Sequence, residues 1–138
     1  MDYKLELVLI PVSDVDRAKK FYLEQAGFVL IVDTPIGEGK RVVQVVPPGS
    51  ACAIGFGTGI TSAAPGSAQG LHLIVSDIVA ARAEMAERGV AVSGVRHLES
   101  GTWVDGPHPQ RGNYESFADF ADPDGNVWIL QEVNRSKG

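Results

Sequence analysis

The apolar and polar positions of this chain run through one order twice. Residues 5–12 form a short apolar run, Ser13-Asp14 follows, and Val15, Ala18 and Tyr22 then recur at helical spacing, with Phe21 widening the stripe. Asp14 or Ser13 suits the helix start and Gly27 its end. Strand-like runs at 28–32, 41–46 and 51–56 come next, separated by turn-rich stretches at 34–39 and 47–50. From 57 to 70 Thr, Ser, Ala, Pro and Gly dominate without apolar periodicity, which reads as a linker.

After it the pattern starts again. Residues 71–75 are apolar, Ser76-Asp77 provides a second cap, and Ile78, Ala81 and Met85 form a second helical stripe ending at Gly89. A strand is expected over 90–97, an irregular loop over 98–114, and a closing hairpin of strands at 116–121 and 127–133. Asp122-Pro123-Asp124-Gly125-Asn126 makes its turn: Pro fixes φ, Gly supplies positive φ, and Asp and Asn bond their own backbone. Residues 134–138 are a polar tail.

Subtraction supports the repeat. An offset of 63 carries Val12-Ser13-Asp14 onto Val75-Ser76-Asp77, and Val15, Ala18 and Tyr22 onto Ile78, Ala81 and Met85. Each half therefore reads as strand, helix and three strands. The fold class is α+β, one domain over 1–138 made of two βαβββ units, about 1–57 and 70–134, with a linker at 58–69. One such unit alone buries too little surface, so the two are expected to share an apolar core.

Composition narrows the partners. With 44% hydrophobic and 21% charged residues the chain is globular. A net charge of −5 without a basic stripe argues against nucleic acid. It suits a cationic ligand, or ordinary solubility. Cys52 is the only cysteine, so no internal disulfide forms, and its apolar neighbours suggest a buried structural thiol rather than a nucleophile. No apolar run is long enough to span a bilayer and the first residues lack a signal-peptide layout, so no membrane partner is expected and a cytoplasmic location is the expectation.

The chain resembles the vicinal oxygen chelate superfamily of glyoxalases, extradiol dioxygenases, fosfomycin-modifying enzymes and bleomycin-binding resistance proteins. The resemblance rests on Val12-Ser13-Asp14-Val15-Asp16-Arg17-Ala18 with Phe21-Tyr22 and Gly27-Phe28, on Val75-Ser76-Asp77-Ile78, and on Asp122-Pro123-Asp124-Gly125-Asn126. It implies curved mixed sheets around a shared cup and a homodimer. It also implies four metal-ligand positions, on the first and last strands of each half, which here fall on Leu7, Ala53, Gly70 and Ile129. None has a donor atom, so the family's usual divalent ion has no ligands here, and no cofactor is expected.

Side chains alternate along a strand, so His72, two beyond Gly70, and Gln131, two beyond Ile129, are candidates to face the cup. His72 is either a core histidine satisfied by a neighbour or a group offered to a ligand. Glu132 should face away, toward solvent or a helix end, although a slip of one residue would reverse that. His97, at the mouth of the 98–114 loop, is a general-base candidate or a surface histidine. His108, between two prolines, reads as loop. Trp103 and Tyr114 are candidates for a stacking wall against a flat or cationic ligand. Phe117 reads as core, and Trp128 and Leu130 should pack beneath a helix.

Two function classes stand open. One is a metal-free small-molecule-binding protein like the bleomycin-resistance branch, using His72, Gln131, Trp103, His97 and Tyr114. The other is a glyoxalase-type lyase or isomerase, or a dioxygenase-like enzyme, with a displaced metal near His72, His97 or Glu132.

Overall fold

Two aspartates start the two helices. The Asp14 carboxylate accepts from Arg17 N–H at 3.0 Å and opens α1 (Val15–Lys20). The Asp77 carboxylate accepts from Ala80 N–H at 3.1 Å and opens α2 (Ile78–Glu87). Each satisfies a backbone donor that the first helical turn leaves free. A π-helical turn, Phe21–Gln25, continues α1, closed by Ala26 N–H donating to the Phe21 carbonyl at 2.9 Å. That wider turn buries the adjacent Phe21 and Tyr22 together. Gly27 and Gly89, at φ 79° and 92°, release the chain from each helix as the sequence suggests.

The strands are β1 (Leu7–Leu9), β2 (Val29–Gly37), β3 (Lys40–Val46), β4 (Ala53–Thr58), β5 (Leu71–Val75), β6 (Arg96–Glu99), β7 (Thr102–Asp105), β8 (Ser116–Ala121) and β9 (Val127–Glu132). They form two mixed sheets, of order β1-β4-β3-β2 and β5-β9-β8-β6-β7. In each, the strand before the helix pairs in parallel with the last strand of the unit and the other pairings are antiparallel. The fold is α+β, two βαβββ units, the second carrying β7 as an additional edge strand. The computed structural model describes residues 1–134, and the rest of the polar tail lies outside them. Among the described residues no helix is long and apolar enough to cross a membrane.

Three expectations change. The stretch read as a turn at 34–39 belongs to β2 as far as Gly37, the strand read at 90–97 is regular only from Arg96, and the loop read at 98–114 contains β7. Ser100 and Gly101, at φ 50° and 80°, form a two-residue turn with Glu99 opposite Thr102. This turn class matches strand twist, which is why a four-residue strand folds back there.

Among the described residues the first compact unit spans 1–68 together with 122–126, and the second spans 69–121 and 127–134. In the first, Ile54, Phe56, Val43 and Val45 are buried on one face of the sheet, and Tyr22 packs between Phe28 and Phe56. The 122–126 turn is bonded throughout that unit. Asp122, 5% exposed, accepts from Tyr22 Oη at 2.8 Å, from Asn126 Nδ2 at 2.8 Å, and from the backbone N–H groups of Asp124 and Asn126. Asn126, fully buried, donates to the Pro11 carbonyl at 2.8 Å and accepts from Ala68 N–H at 3.0 Å. Asp124 accepts from Ser13 N–H and Oγ and from Arg17. The turn residues that make the sequence recognisable thus serve as an anchor for this unit.

In the second unit β8 and β9 alternate strictly. Ser116, Ala118, Phe120, Trp128, Leu130 and Glu132 are buried, and the residues between them are partly exposed. Trp128 stacks on Phe120 at 6.1 Å between ring centroids, on the face that α2 covers. One face of this sheet is therefore core, and the other is free to present side chains.

Candidate functional site

Strand register assigns the residues of that free face. Ile74, Gln131, Phe117, Arg96 and Asp105 lie level across the sheet. His72, Ile129 and Asp119 form a neighbouring row, and Trp103 lies opposite Leu98 at the far edge. Trp103, half exposed, meets Phe117 edge-on at 5.6 Å between ring centroids. The Arg96 guanidinium lies 4.9 Å from the Trp103 ring centroid, donates to Asp119 Oδ2 at 2.9 Å and donates to Ser93 Oγ at 3.2 Å. An arginine held on three sides keeps the indole upright on the open face. Gln131 Nε2 donates to the Tyr114 carbonyl at 3.3 Å, which leaves its amide oxygen as an acceptor.

His72 is exposed, so it is not a core histidine. Phe117 is half-buried on the face opposite the core, because its parity in β8 is that of Asp119 and not that of Ala118 and Phe120. Cys52 is partly exposed rather than buried. Tyr114, at φ 67°, is exposed in the 106–115 segment and tied by its N–H to the Glu132 carbonyl at 2.8 Å.

His97 is neither at the surface nor on this face. It is 3% exposed, on the core side of β6, with Nδ1 2.7 Å from the Gly106 carbonyl and Nε2 3.1 Å from Glu99 Oε1. The Gly106 carbonyl above all, and then the Glu99 carboxylate, favour the imidazolium and raise its pKa against the opposing effect of burial. Glu132 also faces the core and reaches a helix end, where its carboxylate accepts from Ile78 N–H at 3.0 Å at the start of α2. Arg111 donates to both of its oxygens and to Asp77. The Arg111 bonds, with the Ile78 N–H, hold Glu132 below the usual carboxylate range despite burial. A cavity of about 310 Å³ lies beside this pair, lined by Ser76, Asp77, Arg111, Glu132 and Asn134. His72, His97 and Glu132 are therefore not brought together. His72 lies on one face of the sheet and the other two lie on the opposite face.

The four positions that the resemblance implies for metal ligands are not brought together with donors either. Leu7 and Ala53 are direct partners across β1 and β4, and the side chains of Leu7 and Leu9 close over Gly55, where an added Cβ would meet both at 3.2 Å. Gly70 precedes β5, so the residue level with Ile129 is His72. One histidine beside isoleucine does not fit a divalent ion, and among the described residues no group of three or more His, Cys, Asp or Glu is disposed to hold one.

Sequence reasoning missed Arg96, Asp119, Ser93 and Arg111. The alternation of Phe117 and Asp119 within one strand was a usable signal for Asp119. Arg96 becomes a site residue only through its pairing with β7.

The family model described as Glyoxalase/Bleomycin resistance protein/Dioxygenase superfamily matches residues 4–130. Among solved structures, TnmS3, an antibiotic binding protein from Streptomyces sp. CB03234, is 36% identical with a TM-score of 0.73, over 95% of this chain and 96% of that one. A glyoxalase/bleomycin resistance protein from the same organism is 37% identical with a TM-score of 0.71, over 93% and 99%. The uncharacterized protein YetH of Bacillus subtilis (strain 168) is 28% identical, over 91% of this chain and 94% of its own length.

Proposed function

The chain belongs to the glyoxalase/bleomycin resistance protein/dioxygenase superfamily, and from that premise we propose that it binds a flat small molecule, without a metal, on the open face of its second unit. The observation that carries this reading is Trp103, braced by Arg96 and edged by Phe117, in the same sheet face as Gln131 and His72. An exposed indole offers a stacking surface, and Gln131 and His72 offer directed polar contacts, the combination small-molecule sites use. Ring stacking here contributes about 1 kcal/mol beyond buried area. The likeness to an antibiotic binding protein supports a binding role over a catalytic one. The lack of donor atoms at Leu7, Ala53, Gly70 and Ile129 supports chemistry without the family's metal.

The test is equilibrium binding of proflavine, flat and cationic, to wild-type protein and to the Trp103→Ala and Gln131→Ala variants. Saturable binding that weakens about tenfold in Trp103→Ala, as expected for a lost stacking partner, supports the site. Equal affinity in all three proteins contradicts it.

We also propose that the protein is a homodimer. The outer strand β2 exposes Val29, Leu30, Ile31 and Ile36, an aliphatic edge that a monomer would leave open to water. Sedimentation equilibrium checks this, with a mass near 29 kDa expected, twice the 14.7 kDa chain. A mass of one chain across the micromolar range contradicts it.

A further inference from the structure

We propose that the proton on His97 sets the pose of Trp103, so that the open face of the second unit responds to pH. The His97 ring is enclosed between two groups that only accept hydrogen bonds, the Gly106 carbonyl at 2.7 Å and the Glu99 carboxylate at 3.1 Å. A neutral imidazole has one N–H and satisfies one of them, while its other nitrogen turns a lone pair toward an oxygen. The imidazolium satisfies both.

Position makes this consequential. Glu99 ends β6 at the 100–101 turn, and Gly106 follows the last residue of β7, so the two contacts tie down both ends of one hairpin. Gly106 N–H also donates to the Val95 carbonyl at 2.7 Å, which fixes the Gly106 end independently. On deprotonation the ring keeps its shorter bond to Gly106 and releases Glu99, whose carboxylate is about half exposed and turns to water. The turn end of the hairpin then loses its tether. Trp103 lies two residues beyond that turn, opposite Leu98, on the reverse face of the same hairpin.

The surrounding charges are few. Glu99 comes from the ring's own strand, and His108, whose ring is 5.7 Å away edge-on, comes from the 106–115 segment with its partner Glu115 at 3.1 Å. The neighbours in register on β7 and β8, Val104 and Ser116, carry no charge. The raised pKa of His97 agrees with this environment.

The inference rests on the proposed binding face for its meaning, but its test uses no ligand. The indole N–H resonances of Trp103 and Trp128 are followed by NMR together with the His97 ring proton from pH 5 to 9, in wild type, His97→Gln and Glu99→Gln. The expected result is a Trp103 shift with the same midpoint as His97, above the ordinary histidine value of about 6.5, and no matching shift at buried Trp128. In His97→Gln the Trp103 shift disappears. In Glu99→Gln, a surface change that leaves the fold intact, the midpoint of His97 falls, because a neutral amide donates to the unprotonated ring. A Trp103 resonance that is silent while His97 titrates, or one that still titrates in His97→Gln, overturns the proposal. Failure of proflavine to bind leaves this result standing and removes only the small-molecule reading.

Discussion

Glu132 shows how one residue can be fixed in place by chemistry unrelated to the ligand. Its carboxylate caps α2 and holds Arg111, and its backbone carbonyl holds Tyr114 N–H, so it ties the 106–115 segment to the sheet. Because its pKa is depressed in the fold, the stabilisation is present above its unfolded pKa of about 4.5. That stabilisation is lost as pH falls through the lower folded value. Replacing it by Gln removes the buried charge and one of the two oxygens that accept from Arg111, leaving Asp77 as the carboxylate that faces it, and we expect a loss of about 2 kcal/mol, reduced from the value for a fully buried pair because Arg111 is partly exposed. Urea unfolding at pH 7 and pH 4 checks this, with the difference between wild type and Glu132→Gln shrinking at the lower pH. Sequence parity placed Glu132 on the face away from the cup, and the register agrees. Chain position misled for His97, read at a loop mouth as a general base or a surface histidine, because its buried face is set by pairing with Ser116 and Val104 on other strands.

At the level of elements, what was legible in the chain was whatever local chemistry decides. The two cap aspartates, the helix-ending glycines and the Asp122–Asn126 turn each act through their own backbone, and each lies where the sequence read it. Asp77→Ala should lower the unfolding midpoint, because the first turn of α2 loses its N-cap. Thermal unfolding measures it, and an unchanged midpoint would show the cap to be redundant with Glu132. The strand β7 was hidden because Thr102-Trp103-Val104-Asp105 is short and flanked by glycines at 101 and 106, which suggest loop. Its clue was the Ser100-Gly101 pair between alternating residues, a two-residue hairpin signal. Missing β7 hid the Arg96–Trp103 contact, and with it most of the candidate site.

On the scale of the whole chain, fold and chemistry separate. The repeat of helix starts and closing strands carries the superfamily's architecture, whereas the four positions that the resemblance implies for metal ligands hold Leu7, Ala53, Gly70 and Ile129. What remains for function is an open sheet face with an indole, a phenyl ring, an arginine–aspartate pair, a glutamine and a histidine. The most direct measurement is amide NMR mapping of proflavine binding to protein freed of metal with a chelator. Saturable shifts concentrated at His72, Trp103, Phe117 and Gln131 are expected, with the same affinity before and after chelation. Shifts confined to other residues, or binding that vanishes with the metal, would contradict it.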